Sequence, residues 1–398
     1  MHAGIIAEYN PFHLGHAYHL ARSRALSGAD RVIVAMSGDF VQRGEPAMFP
    51  RRLRAKWALE NGADMVLALP APLALASGEV FALAGVKLLA GTGLTDMLCF
   101  GSECGDISLL SRAAGLSGGE PPEVSSAIRA GLARGLSHPR ARAVAYGEHM
   151  PELAGLFSAP NDLLAVEYLR AIAAAAPGMR PVAVPRTGPG HDSPDTAGEY
   201  ASASAIRGLL LGGRDAAAYL PAGVYSDILE TFAEKTAPIT IEALSDMIVF
   251  ALRRLDRQAL SALPDVAEGL ENLIYSACRE QGEIHGLLAA VKSRRYTMAR
   301  LKRICMYALL GISTPPKELL DGLHIRVLGV RREAMGLLSA LSERASLPVI
   351  VRRADLEKLS PSQRRLHELD TLAAEIAALG RPMPLPAPDD LALPLLTV

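Results

Sequence analysis

Residues 4–16 read Gly-Ile-Ile-Ala-Glu-Tyr-Asn-Pro-Phe-His-Leu-Gly-His, and the order of those types leaves few ways to fold. The short apolar run ending at Ala7 predicts a buried strand, and Asn10-Pro11 predicts the turn that ends it. Behind that turn His13 and His16 open a helix, with Gly15 between them. Residues three apart at a helix start share one face, so both imidazoles can address one ligand. The first N–H groups of a helix and the positive end of its dipole favour an anion at the same place. Strand, turn and helix in this order therefore predict a phosphate-binding corner.

The rhythm continues beyond the corner. Strands are predicted over residues 3–7, 31–36, 64–69 and 96–100, and helices over 15–26, 51–61 and 78–90. Strand–helix–strand at this spacing implies parallel pairing with right-handed crossovers. Ligand then belongs beyond the carboxyl ends of the strands, where His13, residues 37–43, Pro70 and Gly101 converge. Residues 105–175 read as Ala-rich helix, with Pro160-Asn161-Asp162 as a break before a helix over 163–174. A last strand over 180–185 runs into the glycine-rich loop that begins at Arg186, and Ser202 caps a further helix. From about residue 235 to 320 the pattern is helical. A small mixed segment follows, with strands at 326–330 and 349–351 around a helix at 332–341. The tail from Gly380 carries five prolines and reads as a loosely docked end.

The 398 residues exceed one ordinary domain, so two or three are expected, and half of them are hydrophobic, enough for sizeable cores. A net charge of −1 argues against a uniformly basic nucleic-acid binder and leaves room for a basic patch. The N-terminus runs straight into a strand, no apolar window reaches eighteen residues, and four cysteines are few for this length. These features predict a protein of the reducing cytoplasm with no membrane span.

Several groups can carry chemistry. His13 and His16 suit the α-phosphate of a nucleoside triphosphate, against a structural alternative of simple capping. The strand, the Asn-Pro turn and Gly15 favour the nucleotide. His19 could extend a metal set, but no Cys or carboxylate stands at matching spacing, so no metal site is assigned. Ser202, Ser204 and Arg207 offer hydroxyls and a guanidinium to phosphate, or form a plain N-cap with a solvated arginine. Arg186 is a phosphate ligand or a loop charge, and Asn161 a helix cap or a reader of base or ribose. Residues 37–46 read as a mobile lid over the nucleotide, or as an ordinary connector. Basic runs occur at Arg51-Arg52-Leu53-Arg54-Ala55-Lys56 and from Lys292 through Arg294, Arg295, Arg300 and Lys302 to Arg303. In the second run Tyr296 could stack on a base. An RNA contact and a solvated helix face are both open readings of it.

The opening block resembles the His-x-Gly-His signature of the nucleotidylyltransferase superfamily. Together with residues 37–46, 58–64, 100–103, 160–162, 201–207 and 295–297, it is more narrowly similar to the bacterial tRNA(Met) cytidine acetate ligases. The resemblance runs in order from residue 4 to about 310. It implies a Rossmann-like α/β domain over residues 1–235 that binds ATP, and a mainly helical region over 236–398 that binds tRNA. It implies that acetate attacks the α-phosphate of ATP, with Mg²⁺ bound as the ATP complex, giving acetyl-adenylate and pyrophosphate. The N4 amine of the wobble cytidine of elongator tRNA(Met) then takes the acetyl group. The ATP site implied is Ile6, Ala7, Glu8, Tyr9, Asn10, Pro11, Phe12, His13, Leu14, Gly15, His16, Ala17, Tyr18 and His19, with Gly101, Asn161 and Arg186. Ser204 and Arg207 join it as phosphate ligands, and Gln42, Arg43, Lys292, Arg294, Arg295 and Tyr296 are expected at the tRNA. Residues 48–52 depart from the family pattern, and the C-terminal third matches loosely, which bears on tRNA selection. Two other readings stay open: a nucleotidylyltransferase that joins AMP to a small metabolite without RNA, and a non-catalytic nucleotide-binding module.

Overall fold

The computed structural model describes residues 1–116, 121–136, 138–186 and 200–398. The chain begins β1 (His2–Ala7), α1 (Leu14–Ser27), β2 (Arg31–Ser37), then a two-stranded hairpin β3 (Phe40–Val41) and β4 (Glu45–Pro46). It continues α2 (Arg51–Glu60), β5 (Met65–Leu69), α3 (Ala71–Ala74), α4 (Gly78–Gly91), β6 (Met97–Ser102) and, after a helical stretch, β7 (Arg180–Pro185). Much later come β8 (Ile325–Val330), β9 (Val349–Ile350) and β10 (Leu396–Thr397). The predicted strands and helices among these are met to within about two residues, while β3, β4, α3 and β10 answer to no predicted element, and the reading differs again at residue 160. There the expected break is a helix start: Pro160 opens the helix Pro160–Ala175, where its missing N–H costs nothing.

The main sheet runs β10-β8-β5-β2-β1-β6-β7. From β5 to β7 all neighbours are parallel. Val32, Ile33, Val34, Ala35 and Met36 in β2, and all five residues of β5, are buried, as strands covered on both faces must be. One layer contains α4 and the helix Pro160–Ala175; α1, α2 and the helix Ala203–Leu211 lie in the opposite core.

The sheet does not stop at residue 235. β8 pairs antiparallel with β5, with Met65 opposite Val330 and Ala68 opposite Arg326. β9 and β10 then pair in parallel with the two halves of β8. The mixed segment is thus an extension of the first sheet, and the helices between residues 245 and 310 sit between its halves in sequence. The proline-rich tail is correspondingly tied down. Leu396 and Thr397 pair with β8, and Asp390 Oδ2 accepts from Arg51 Nε at 2.7 Å.

Arg51 joins four parts of the chain. Its guanidinium also meets Asp370 at 2.6 Å and Asp39 at 3.4 Å, and Asp370 accepts the Ala71 N–H at 2.8 Å. Burial works against this charge, but the three carboxylates outweigh it and hold Arg51 above its ordinary pKa. Substituting Asp370→Ala would leave a buried guanidinium short of one counter-charge and the Ala71 N–H without its acceptor. A loss on the order of 3 kcal/mol in urea-unfolding stability is expected.

Candidate active site

A cavity of about 480 Å³ opens beyond the carboxyl ends of β1, β6 and β7. β1 stands between β2 on one side and β6 on the other, so this is the switch point where doubly wound sheets bind ligand.

The end of β1 is held from several directions. Arg54, fully buried on α2, donates to Phe49 O (2.9 Å), Glu8 O (2.6 Å) and Gly38 O. Asn10 Oδ1 accepts the Met48 N–H at 2.8 Å, and Arg207 Nη1 donates to Asn10 O at 2.8 Å. Between them Tyr9 takes a left-handed backbone (φ 49°), a conformation costing roughly 1 kcal/mol or more outside glycine. This packing holds it there, with its ring 4.9 Å from both Phe12 and His16.

His13 is the N-cap residue of α1 and makes no side-chain cap, so its imidazole is not spent on its own helix end. It stacks on His16, centroids 3.7 Å apart and planes 26° from parallel. Gly15 is needed for that stack: a Cβ there would stand 2.9 Å from His13 Cε1. Of the expected run, Ile6, Ala7, Glu8, Tyr9, Asn10, His13, Gly15, His16, Tyr18 and His19 line the cavity. Pro11, Phe12, Leu14 and Ala17 do not, and Phe12 is core beneath the site.

The opposite rim is built by reciprocal capping. Asp162 accepts from Ser102 Oγ and from the N–H groups of Glu103 (2.9 Å) and Cys104 (3.1 Å). Glu103 in turn accepts the Asp162 N–H at 2.9 Å and the Asn161 side chain. This lock brings Asn161 and Gly101 onto the cavity wall. Gly101 lies beside Arg186 and His19: a Cβ there would stand in ordinary contact, 3.5 Å from Arg186 Cγ and 4.0 Å from His19 Cδ2. No described carboxylate forms an ion pair with Arg186, whose pKa is pushed down by burial and partly restored by Glu103. Burial, then the Arg186 charge, push His19 down to about 4, and its Nε2 has no hydrogen-bond partner among the described residues. His19 is therefore a neutral imidazole at working pH.

Ser202 and Arg207 also line the cavity. Ser202 Oγ caps its helix by accepting from the Ala205 N–H at 3.0 Å. Ser204 stands off the cavity wall and accepts from Arg207 Nη2 at 3.2 Å. It therefore holds the guanidinium, and the serine at the cavity is Ser202. The glycine-rich stretch expected after Arg186 falls within residues 187–199, outside the described residues.

The segment read as a lid is clamped. Gln42 N–H donates to Glu8 Oε1 at 2.8 Å, and Glu45 pairs with Lys302. Gly44 (φ 79°) packs so closely on the helix Met298–Leu310 that a Cβ would come 2.4 Å from Arg303 N. Gln42 and Arg43 accordingly face the cavity. Much of the two basic runs is structural: Arg51 and Arg54 are buried, Lys56 pairs with Asp227 at 2.8 Å, and Arg303 with Asp265 at 2.8 Å. Lys292, Arg294 and Arg295 remain exposed. Tyr296 is only 4% exposed and its hydroxyl reaches Glu268 O, so its ring belongs to the helical core and is not offered to a base. Arg54 was the functional support that patterning missed, since an arginine in a basic run reads as surface.

The sheet and the paired histidines define a nucleotidyltransferase-type fold, and the HIGH nucleotidyl transferase family model matches residues 1–386. The tRNA(Met) cytidine acetate ligase of Acetivibrio thermocellus is 34% identical over 387 residues, spanning 94% of this chain and 93% of that one. The ligase of the same name from Thermoanaerobacter sp. is 35% identical over 383 residues, spanning 95% and 94%. This chain belongs to that family. Two crystal structures of Thermotoga maritima TmcAL superpose closely. The apo form gives a TM-score of 0.91 at 28% identity, with 100% and 99% of the two chains covered. The form bound with alpha-thio ATP gives 0.89 at 29%, with the same coverage.

The His19 environment has a stability consequence. Above pH 6.5 neither folded nor unfolded chain protonates this imidazole. Between 6.5 and about 4 only the unfolded chain does, so unfolding free energy falls as pH falls through that window. Urea titrations from pH 7 to 4 should show this slope reduced in His19→Gln.

Proposed function

We propose that this chain activates acetate with ATP and transfers the acetyl group to N4 of the wobble cytidine of elongator tRNA(Met). The observation that carries the reading is the His13–His16 stack at the start of α1, set into a cavity at the switch point of a parallel sheet. In-line displacement at a phosphate asks for positioning and charge stabilisation more than covalent help. The acetate oxygen attacks the α-phosphorus and pyrophosphate leaves with the bonding electrons. His13 and His16 donate to the α-phosphate oxygens as charge builds there. Arg186 and Arg207 hold the departing phosphates, and Asn161 addresses the nucleoside. Mg²⁺ enters the proposal as part of the ATP complex.

The proposal divides labour along the chain, with activation in residues 1–235 and tRNA binding in 236–398, although β8 and β10 serve the first region's sheet. It places the protein in the cytoplasm, where tRNA is found. No helix among the described residues is long and apolar enough to cross a membrane.

Two measurements test the two halves. His16→Ala should lower acetate-dependent pyrophosphate release by about a hundredfold, the usual effect of one lost donor at developing charge, in a protein that still folds. Retained release would remove the histidines from the chemistry. Replacing Lys292, Arg294 and Arg295 together by alanine should weaken tRNA binding and flatten its salt dependence while sparing pyrophosphate release. An unchanged affinity and salt slope would take that run out of the interface.

A further inference from the structure

The cavity is chemically two-sided. The walls from α1, the end of β7 and the residues around the helix Ala203–Leu211 bring His13, His16, Arg186 and Arg207. The layer on the other face of the sheet brings Phe81, Leu164, Glu167 and Tyr168, and no cation among the described residues. Glu8 stands at the end of β1, where the two sides meet, part-buried. One of its carboxylate oxygens is fixed by the Gln42 N–H at 2.8 Å, and no other described residue hydrogen-bonds that carboxylate. The hairpin that supplies Gln42 is clamped by Lys302 to the helix Met298–Leu310, directly after the exposed Arg294 and Arg295. A carboxylate beside an aromatic and aliphatic wall repels phosphate, but it accepts well from an exocyclic amine and a flat base suits such a wall.

We infer that Glu8 is the acceptor-side residue of this cavity: its carboxylate receives the N4 amine of cytosine, selects it against the O4 of uracil, and takes the N4 proton during acetyl transfer. The inference rests on the function proposed above. In the step, the N4 lone pair forms a bond to the acetyl carbonyl carbon. The bond from that carbon to the phosphate oxygen breaks, AMP leaves with the electron pair, and the N4 proton passes to Glu8. Gln42, through its main chain, is a positioning residue.

The test separates the two half-reactions. Glu8→Gln keeps the shape and an oxygen for the Gln42 N–H, but presents a donor in place of an acceptor. Acetate-dependent pyrophosphate release, which any part Glu8 plays in the ATP run would lower, is recorded for the same variants as the reference against which transfer is read. Single-turnover transfer from preformed acetyl-adenylate to a tRNA(Met) transcript should fall by about a hundredfold or more, as for loss of a general base. The binding preference for C34 over U34 transcripts, expected on the order of tenfold, should vanish or invert in Glu8→Gln, because an amide can donate to O4. Glu8→Ala should lose transfer without that gain for U34, which controls for mere damage. Unchanged transfer and an unchanged C34/U34 ratio would overturn the inference, and so would a loss of transfer from preformed acetyl-adenylate no larger than the loss of pyrophosphate release. If the unsubstituted protein acetylates no tRNA, the proposed function fails first and this inference with it.

Discussion

A guanidinium sealed from water must place its donors on protein acceptors, and Arg54 places them on three carbonyls, Phe49, Glu8 and Gly38. Those carbonyls belong to the loop before α2, the end of β1 and the loop after β2. Burial pushes Arg54 down to about 10, against the pull of Asp39 and Glu8, so the group is still cationic at neutral pH. One buried cation thereby sets the distance between two loops at the ligand-binding edge. The left-handed turn at Tyr9 and the histidine stack that follows depend on that spacing. Hydrogen bonds to a charged donor are worth roughly twice neutral ones, which makes this a stiff mount.

The second buried arginine does different work. Arg51 sits among carboxylates and gathers α2, the loop after β2, the helix Pro361–Leu379 and the proline-rich tail. Two arginines three residues apart on one short helix thus divide the tasks. One shapes the turn that presents the histidines, and the other fastens the C-terminal part of the chain to the sheet.

Much of this was legible in the residues. Apolar runs of five or six residues marked β1, β2, β5 and β6, and Ser202 announced its helix, because strand burial and capping are local effects. What could not be read depends on distant partners. The pairing of β8 with β5, the docking of the tail on Arg51 and the clamping of the hairpin by Lys302 each join residues more than 250 positions apart. Tyr296 misled for the same reason: its cationic neighbours suggest a surface, while its own ring is covered by the region around Glu268. Among the site residues, His13, His16, Gly101, Asn161 and Arg186 reached the cavity as their motifs suggested. Ser204 and Phe12 did not, because a motif records neighbourhood in sequence and not which way each side chain turns.

The antiparallel graft of β8 onto β5 has a kinetic side. β5 lies between strands of the first hundred residues on one edge and a strand some 260 residues later on the other. Pairings that span so much chain are slow to close, because the intervening segment must be ordered or searched before the contact is gained. Until then β5 presents a bare hydrogen-bonding edge of Met-Val-Leu-Ala-Leu, apolar throughout. The nascent half-sheet would be at its most adhesive in that interval, which makes β8 a guard against misassociation as well as a structural strand.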